Sequence, residues 1–337
     1  MVSGAMAMFA IAGCVAREEV MPTRDVILIA HRGASGERPE HTLAAYSLAI
    51  AQGADFIEPD LVPTKDGVLV ARHENEISET TDVADHPEFA ARKATRTIDG
   101  KSVSGWFTED FTLAELKTLR ARERLPRLRP GNVAFDDRLQ IPTFAEVVAL
   151  ARQRGVGVYP ETKHPGYFRG IGLPVEETLL AELAKAGWTR RGDPVFIQSF
   201  EVANLQALRA KSDLRLIQLI DKDGAPADRA VASYAAMLTP AGLKAIAAYA
   251  DGIGPNKELV TGELVDNAHA AGLQVHPWTF RAENYFLPAR HWSGINPRAR
   301  GDLAGEIRAQ LALGIDGLFS DHPGLAAEAI GKPARSE

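Results

Sequence analysis

Cysteine is almost absent: Cys14 is the one thiol in 337 residues. A single thiol excludes a disulfide within the chain and a thiolate cage for a metal ion. Positive charge is not in excess either, since 44 Asp+Glu stand against 38 Lys+Arg, a formal charge of -6. A sequence pI near 5.9 offers no general attraction to phosphate backbones, and a nucleic-acid partner is set aside on that ground. No low-complexity tract occurs, and nothing repeats beyond a β/α rhythm. What the chain does hold is apolar: 45% of it is hydrophobic, enough for a large core at the length of one α/β barrel with insertions. The apolar periodicity is nearly complete within the chain, so the core requires no protein partner.

The first residues read MVSGAMAMFAIAGCVAREEV, a short apolar stretch running into small residues and stopping at Cys14. This resembles a signal peptide ending in a bacterial lipobox, Ile11-Ala12-Gly13-Cys14, whose cysteine is lipidated after cleavage. No Lys or Arg precedes the stretch, which departs from the usual n-region, and it is too short to span a bilayer as a helix. Residues 1–24 are therefore expected to be a signal-like or disordered segment. The expected location is the periplasm, with a possible membrane tether through lipidated Cys14.

From Val26 onward, short β-branched runs alternate with amphipathic segments. Leu43, Tyr46 and Ile50 share one helical face that ends at Gly53, before ADFIEPDL. Thr143 and Glu146 stand in capping-box spacing at the head of a helix that ends at Gly155, before VGVYPETK. With PVFIQSF, LRLIQLI, ADGIGP, LQVHPWTF and IDGLFSDHP, about eight β units with helical crossovers follow from VILIA. That pattern predicts a TIM-type (βα)8 barrel over residues 25–330. Residues 81–139 break the rhythm and are expected to form a small insertion after the second strand. One capped helix, FTLAELKTLRA, is predicted inside it. Residues 281–302, with Tyr285, Phe286 and Trp292, form a second long connection of the kind that tends to be functional.

In such a barrel the reactive groups stand at the carboxyl ends of the strands. The first run ends in His31 and Arg32, the second passes through Glu58 and Asp60, VLVARHE ends in His73, VGVYPETK in Glu161 and Lys163, and the last run in Asp321. Glu58 and Asp60, two apart on a strand, point to the same face. Carboxylates so close repel unless a cation or a shared proton offsets the repulsion, and Glu161 is expected to join them. All-oxygen ligation suits calcium or magnesium rather than zinc. A lone histidine after an apolar run is more often a packed or capping residue, but two beside a carboxylate cluster can divide general-base and general-acid duty. Arg32 and Lys163 supply fixed positive charge for a phosphate, the plainer reading being ion pairs with the same carboxylates. The set points to phosphoryl-ester chemistry.

The stretch AHRGASGERPEHTLAAYSLAIAQGADFIEPDLVPTKDGVLVARHE resembles the N-terminal signature of the glycerophosphodiester phosphodiesterases, in particular their periplasmic bacterial branch. TTDVAD, YPETK, AYADGIGP, VHPWT and GIDGLFSDHP extend the resemblance to Pro323. The resemblance implies a (βα) barrel that hydrolyses deacylated phospholipids such as glycerophosphocholine to glycerol 3-phosphate and an alcohol. It implies one divalent cation, calcium before magnesium, on Glu58, Asp60 and Glu161, with His31 and His73 as the acid/base pair and Arg32 and Lys163 at the phosphate. A cyclic phosphate formed by attack of the neighbouring glycerol hydroxyl is the expected route.

His41, Glu74 and Glu79 depart from the commonest family residues: His41 favours the periplasmic branch, whereas Glu74 and Glu79 bear on head-group preference. Phe200 and Trp278, with Tyr167 and Phe168, are candidates for the pocket wall and for stacking on a choline ammonium, although packing is the commoner role for such aromatics. Two rival readings remain. One is a phospholipase-type enzyme acting on lysophospholipid, which would need an apolar rim such as residues 281–302. The other is a catalytically silent glycerophosphodiester-binding lipoprotein, for which two proton carriers have no use.

Overall fold

The computed structural model describes Met1 and residues 26–335. Cys14 and the lipobox-like residues lie outside the described residues. Runs rich in Ile, Leu, Val and Phe form the strands, because β-branched and aromatic side chains fill a sheet packed on both faces. In chain order the first are β1 (Ile27–His31), β2 (Phe56–Glu58), β3 (Asp60–Pro63) and β4 (Leu69–Ala71). A hairpin of β5 (Ala94–Ile98) and β6 (Lys101–Gly105) follows, then β7 (Gly157–Val158), β8 (Glu161–Thr162) and β9 (Phe196–Ser199). The last are β10 (Arg215–Ile220), β11 (Gly252–Pro255), β12 (Gln274–Val275) and β13 (Gly317–Ser320).

Two ladders result, in the orders β13-β1-β2-β7 and β12-β11-β10-β9-β8-β3-β4, parallel throughout except for the β3–β4 pair. Prolines divide single sequence runs between them: Pro59 separates β2 from β3, and Pro160 lies between β7 and β8. A proline has no N–H to give a ladder, so pairing breaks there. Parallel bridges tie both edges of the four-stranded ladder to the other, Val158 of β7 to Val195 just before β9 and Ser320 of β13 to Phe280 beyond β12. The expected α/β fold with a parallel-sheet core is thus present.

Alternation along the strands sorts the core into two layers. Leu28 and Ala30 join the large cluster with the helices, whereas Ile29 packs with Phe56, Tyr159, Phe196, Ile217 and Phe319 in a separate cluster drawn from six β units. Full burial of each such side chain contributes roughly 1.5–3 kcal/mol. The helices start where capping residues stand. Thr42 accepts the Ala45 N–H ahead of Leu43–Ala51, and Thr143 and Glu146 form the predicted capping box ahead of Phe144–Gln153. Gly53 ends the first of these with φ +100, a conformation that residues with a Cβ rarely adopt.

The structure departs from the sequence reading in two places. VLVARHE, read as a run ending in His73 at the carboxyl end of a barrel strand, supplies β4, which pairs antiparallel with β3 (Leu61↔Ala71). The Thr64–Gly67 turn, where Thr64 Oγ1 donates to Asp66 and accepts the Val68 N–H, folds the chain straight back. The helix expected over FTLAELKTLRA keeps its Thr112–Glu115 capping box but runs only over Leu113–Leu116. Ala121 pairs with Thr81 in an isolated bridge and donates its N–H to the Leu139 carbonyl, and these contacts take the chain out of the helix.

Candidate active site

The strand register assembles the carboxylates. His31 stands opposite Glu58 in the β1–β2 pair, Asp60 opposite Glu161 in β3–β8, and Glu161 opposite Gln198 in β8–β9. Oxygens of Glu58, Asp60 and Glu161 consequently lie within 4.8 Å of one another, all three residues being buried. Each is oriented by a neighbour. Glu58 accepts the Arg32 N–H at 2.8 Å and the Gln198 Nε2 at 3.1 Å. Asp60 accepts His41 Nε2 at 2.9 Å, and Lys163 Nζ stands 3.1 Å from Glu161.

Three buried carboxylates cannot all carry charge cheaply. Burial, then the Asp60 charge, holds Glu58 well above the usual carboxylate range. Burial pushes Glu161 up to about 8 against the pull of Lys163. For Asp60 burial acts in the same direction, but Arg32 and the His41 hydrogen bond outweigh it and hold the carboxyl well below its ordinary value. A cluster frustrated in this way, made only of oxygen donors, fits a hard divalent cation, whose charge would relieve both raised groups.

His31 is 8% exposed and its Nδ1 lies 2.6 Å from Asp321 Oδ1. With Nδ1–H donating there, the basic nitrogen is Nε2. Asp321 is itself gripped through Oδ2 by Arg129 at 2.6 Å and Arg281 at 2.9 Å. Burial, and next Arg32, lower His31 to about 4 although Asp321 pulls the other way. His73 lies on the loop after β4, its Nδ1 3.0 Å from Glu74 and its Nε2 3.4 Å from Lys163 Nζ. Burial, then Arg32 and Lys163, lower it to about 3.

The two cations are already engaged with carboxylates. Arg32 Nη1 donates to both oxygens of Glu40 at 3.3 and 3.2 Å. Its Nε stands 3.2 Å from Asp60 Oδ2 without a hydrogen-bonding angle. Burial opposes the charge on Lys163, yet Glu161, Asp60 and Glu74 together hold the ammonium above its ordinary value. The chain turns sharply at this point: Arg32 has φ +60, followed by Gly33, where a Cβ would lie 2.7 Å from the Ala45 carbonyl carbon. Among the described residues six non-glycine residues have positive φ; Arg32, Asp99 and His164 line the cavity and His41 bonds Asp60 beside it, so the strain concentrates at the site.

A cavity of about 570 Å³ unites His31, Arg32, Glu58, His73, Glu161 and Lys163. Phe200 and Trp278 are on its wall, edge-on to each other at 5.9 Å. Tyr167 and Phe168 are not: Phe168 is fully buried in the core, and the Tyr167 hydroxyl donates to Glu109. Sequence reasoning missed Gln198, whose place at the end of PVFIQSF was a signal, and Arg129, for which no local signal existed. It noted Asp321 as a strand end without its partner.

Residues 31–325 match the Glycerophosphoryl diester phosphodiesterase family. The Arabidopsis thaliana glycerophosphodiester phosphodiesterase GDPD6 is 37% identical over 322 residues, covering 88% of this chain and 83% of its own. A glycerophosphodiester phosphodiesterase of Haemophilus influenzae is 32% identical over 81% of this chain and 85% of its own. In fold, the chain is similar to a structure from Silicibacter pomeroyi at TM-score 0.67 and 24% identity, covering 90% and 93% of the two chains. An Oleispira antarctica phosphodiesterase gives TM-score 0.64 at 22% identity, covering 91% and 97%.

Proposed function

The chain belongs to the glycerophosphoryl diester phosphodiesterase family and is an enzyme of that class, and from this premise we propose how its own residues act. The reaction is hydrolysis of glycerophosphodiesters such as glycerophosphocholine to glycerol 3-phosphate and an alcohol. One observation carries the reading: Glu58 and Glu161, two histidines and two cations line one cavity, and the buried Asp60 stands against the same two carboxylates. The Oleispira antarctica phosphodiesterase holds sn-glycerol-3-phosphate, a product of this chemistry.

Glu58, Asp60 and Glu161 would hold one divalent cation, calcium in this reading, which supplies charge neutralisation at the phosphoryl group and acidity to a nearby hydroxyl. Lys163 and Arg32 draw the phosphate to the cavity, each kept charged by the carboxylates beside it. His31 and His73 divide the proton work: one accepts the proton of the glycerol hydroxyl as it attacks phosphorus, and the other protonates the departing alcohol. A cyclic phosphate results, and water opens it. Depressed basicity leaves the base histidine neutral and ready to take up the glycerol proton, whereas the histidine that protonates the alcohol must enter as the imidazolium, a form that the negative charge of the bound phosphate favours.

The reading also takes the two ladders as one closed (βα)8 barrel, supported by the bridges from both edges of the four-stranded ladder and by the inner cluster from six β units. It places the enzyme in the periplasmic branch on the lipobox-like sequence at Cys14, a proposal tested by labelling with radioactive palmitate in cells and its loss in Cys14→Ser.

The deciding experiment is glycerol 3-phosphate release from glycerophosphocholine by the purified chain with calcium, with magnesium and after chelation. Release that is lost on chelation and restored by one ion sustains the assignment and identifies the ion. No release with either ion overturns it. A substrate analogue lacking the adjacent glycerol hydroxyl is expected to be inert, and its equal turnover would rule out the cyclic route.

A further inference from the structure

Of the seven large hydrophobic side chains exposed among the described residues, three share one loop: Tyr285 at 65%, Trp292 at 48% and Ile295 at 93%. The loop follows β12 at the carboxyl end of the strands, where the active site lies. Its root adjoins the catalytic cavity, because Trp278 lines both that cavity and a second one, of about 390 Å³, that Tyr285 and Phe286 also line.

The display is built rather than slack. Asn284, only 1% exposed, donates through Nδ2 to the carbonyls of Ser293, Gly294 and Asn296 at 3.1, 3.2 and 3.0 Å. Its Oδ1 accepts the Ser293 N–H at 3.0 Å. The chain therefore curls around one buried amide, and Ile295 stands on the outside of the curl. Trp292 is fixed by a 2.8 Å bond from its Nε1 to the Leu287 carbonyl, and Tyr285 packs edge-on against Phe286 at 4.9 Å. Holding an isoleucine in water gains the fold nothing, whereas a pre-ordered apolar tip lowers the entropic cost of binding a partner.

Charge identifies the partner. Residues 284–301 contain Arg290, Arg298 and Arg300 and no Asp or Glu, a local +3 in a chain of formal charge -6. All three arginines are exposed. We propose that this loop docks the enzyme on an anionic lipid surface, with Ile295, Trp292 and Tyr285 entering the headgroup region and the three arginines meeting lipid phosphates. A second copy is the poorer occupant, since a two-fold contact through this face would oppose three arginines to three.

The test is co-sedimentation of the full chain, carrying Cys14→Ser so that no attached lipid contributes, with phosphatidylcholine vesicles and with vesicles about one third phosphatidylglycerol. The parent is expected to sediment with the anionic vesicles and much less with the neutral ones. Binding should fall about tenfold in Ile295→Ser/Trp292→Ser and by a similar factor in Arg298→Gln/Arg300→Gln, with high salt erasing the second difference. Hydrolysis of soluble glycerophosphocholine should stay unchanged in both variants, so failure of the docking and failure of the assigned reaction are read separately. A parent that ignores anionic vesicles, variants that sediment like the parent, or a concentration-dependent dimer abolished by the same substitutions would each overturn the proposal.

Discussion

His31 leaves the end of a central strand with its side chain 11% exposed and its Nδ1 on an aspartate that is 2% exposed. His73 hangs from a loop with its side chain 26% exposed and its Nδ1 near a glutamate that is 47% exposed. The first imidazole has its tautomer and plane set by an anion that two arginines grip from behind, whereas the second is held by a partner that water can replace. In the proposed mechanism one proton carrier would thus be built into the sheet and the other adjustable, an arrangement suited to a fixed reacting group on one side and a variable leaving alcohol on the other.

The largest effect is expected at the carboxylate cluster that lies between the two histidines' surroundings and is proposed to hold the cation. Glu161→Gln or Asp60→Asn should cost at least about a thousandfold in kcat/KM, measured by glycerol 3-phosphate release at saturating calcium. Retention of activity in either would detach the carboxylates from the chemistry altogether.

The comparison itself is tested by removing each histidine's anion. Asp321→Asn should lower kcat about 10²- to 10⁴-fold, because the orienting anion is lost, and should also cost about 3 kcal/mol of stability, since Arg281 loses its carboxylate partner and Arg129 keeps Glu283 alone. Glu74→Gln should change kcat less than about tenfold, since a half-exposed partner is worth little. Rates normalised to folded protein by circular dichroism would sink the distinction if the two losses were equal.

A third expectation concerns stability against pH in the chelated protein. Glu161 rises from 4.5 to about 8 on folding, so between these values the native state holds a proton that the unfolded chain has released, and stability falls as pH rises. His31 and His73 act oppositely, but their contribution is complete above 6.5. Thermal melts between pH 6.5 and 8 should therefore decline without metal. His164, raised from 6.5 to about 9, adds to that decline with or without metal. Excess calcium should lessen the slope, and so should Glu161→Gln; a slope insensitive to both would remove the frustrated cluster from consideration.

The smallest effect lies away from the site. Thr143→Ala deletes one half of a capping box and should lower stability by about 1 kcal/mol in urea denaturation while leaving turnover unchanged.

Much of the site was legible because strand periodicity and strand ends are local properties. His31, Glu58, Asp60, Glu161 and Lys163 could each be found from the few residues before them. His73 was found for an incomplete reason, since its run is a hairpin strand, and the tight Thr64–Gly67 turn that makes it so was present in the sequence. The hairpin of β5 and β6 also carried a signal, the Asp99-Gly100 pair, both with positive φ, but its alternation is polar and amphipathic patterns do not reveal it. What could not be read locally is pairing at long range. Arg129 comes from the irregular stretch before Phe144–Gln153 to hold Asp321, 192 residues away, and no window of sequence contains both.

The pairing of β1 with β13 also sets an order in time. His31 and Asp321 are separated by 290 residues, and their strands are neighbours in one ladder. While the chain is being synthesised, His31 emerges early and waits, without its orienting anion, for almost the entire polypeptide to follow. On the proposed mechanism, hydrolytic competence is thus acquired with the last strand rather than accumulated along the way, and the onset of turnover in a refolding or translation reaction would mark the moment at which β1 and β13 have paired.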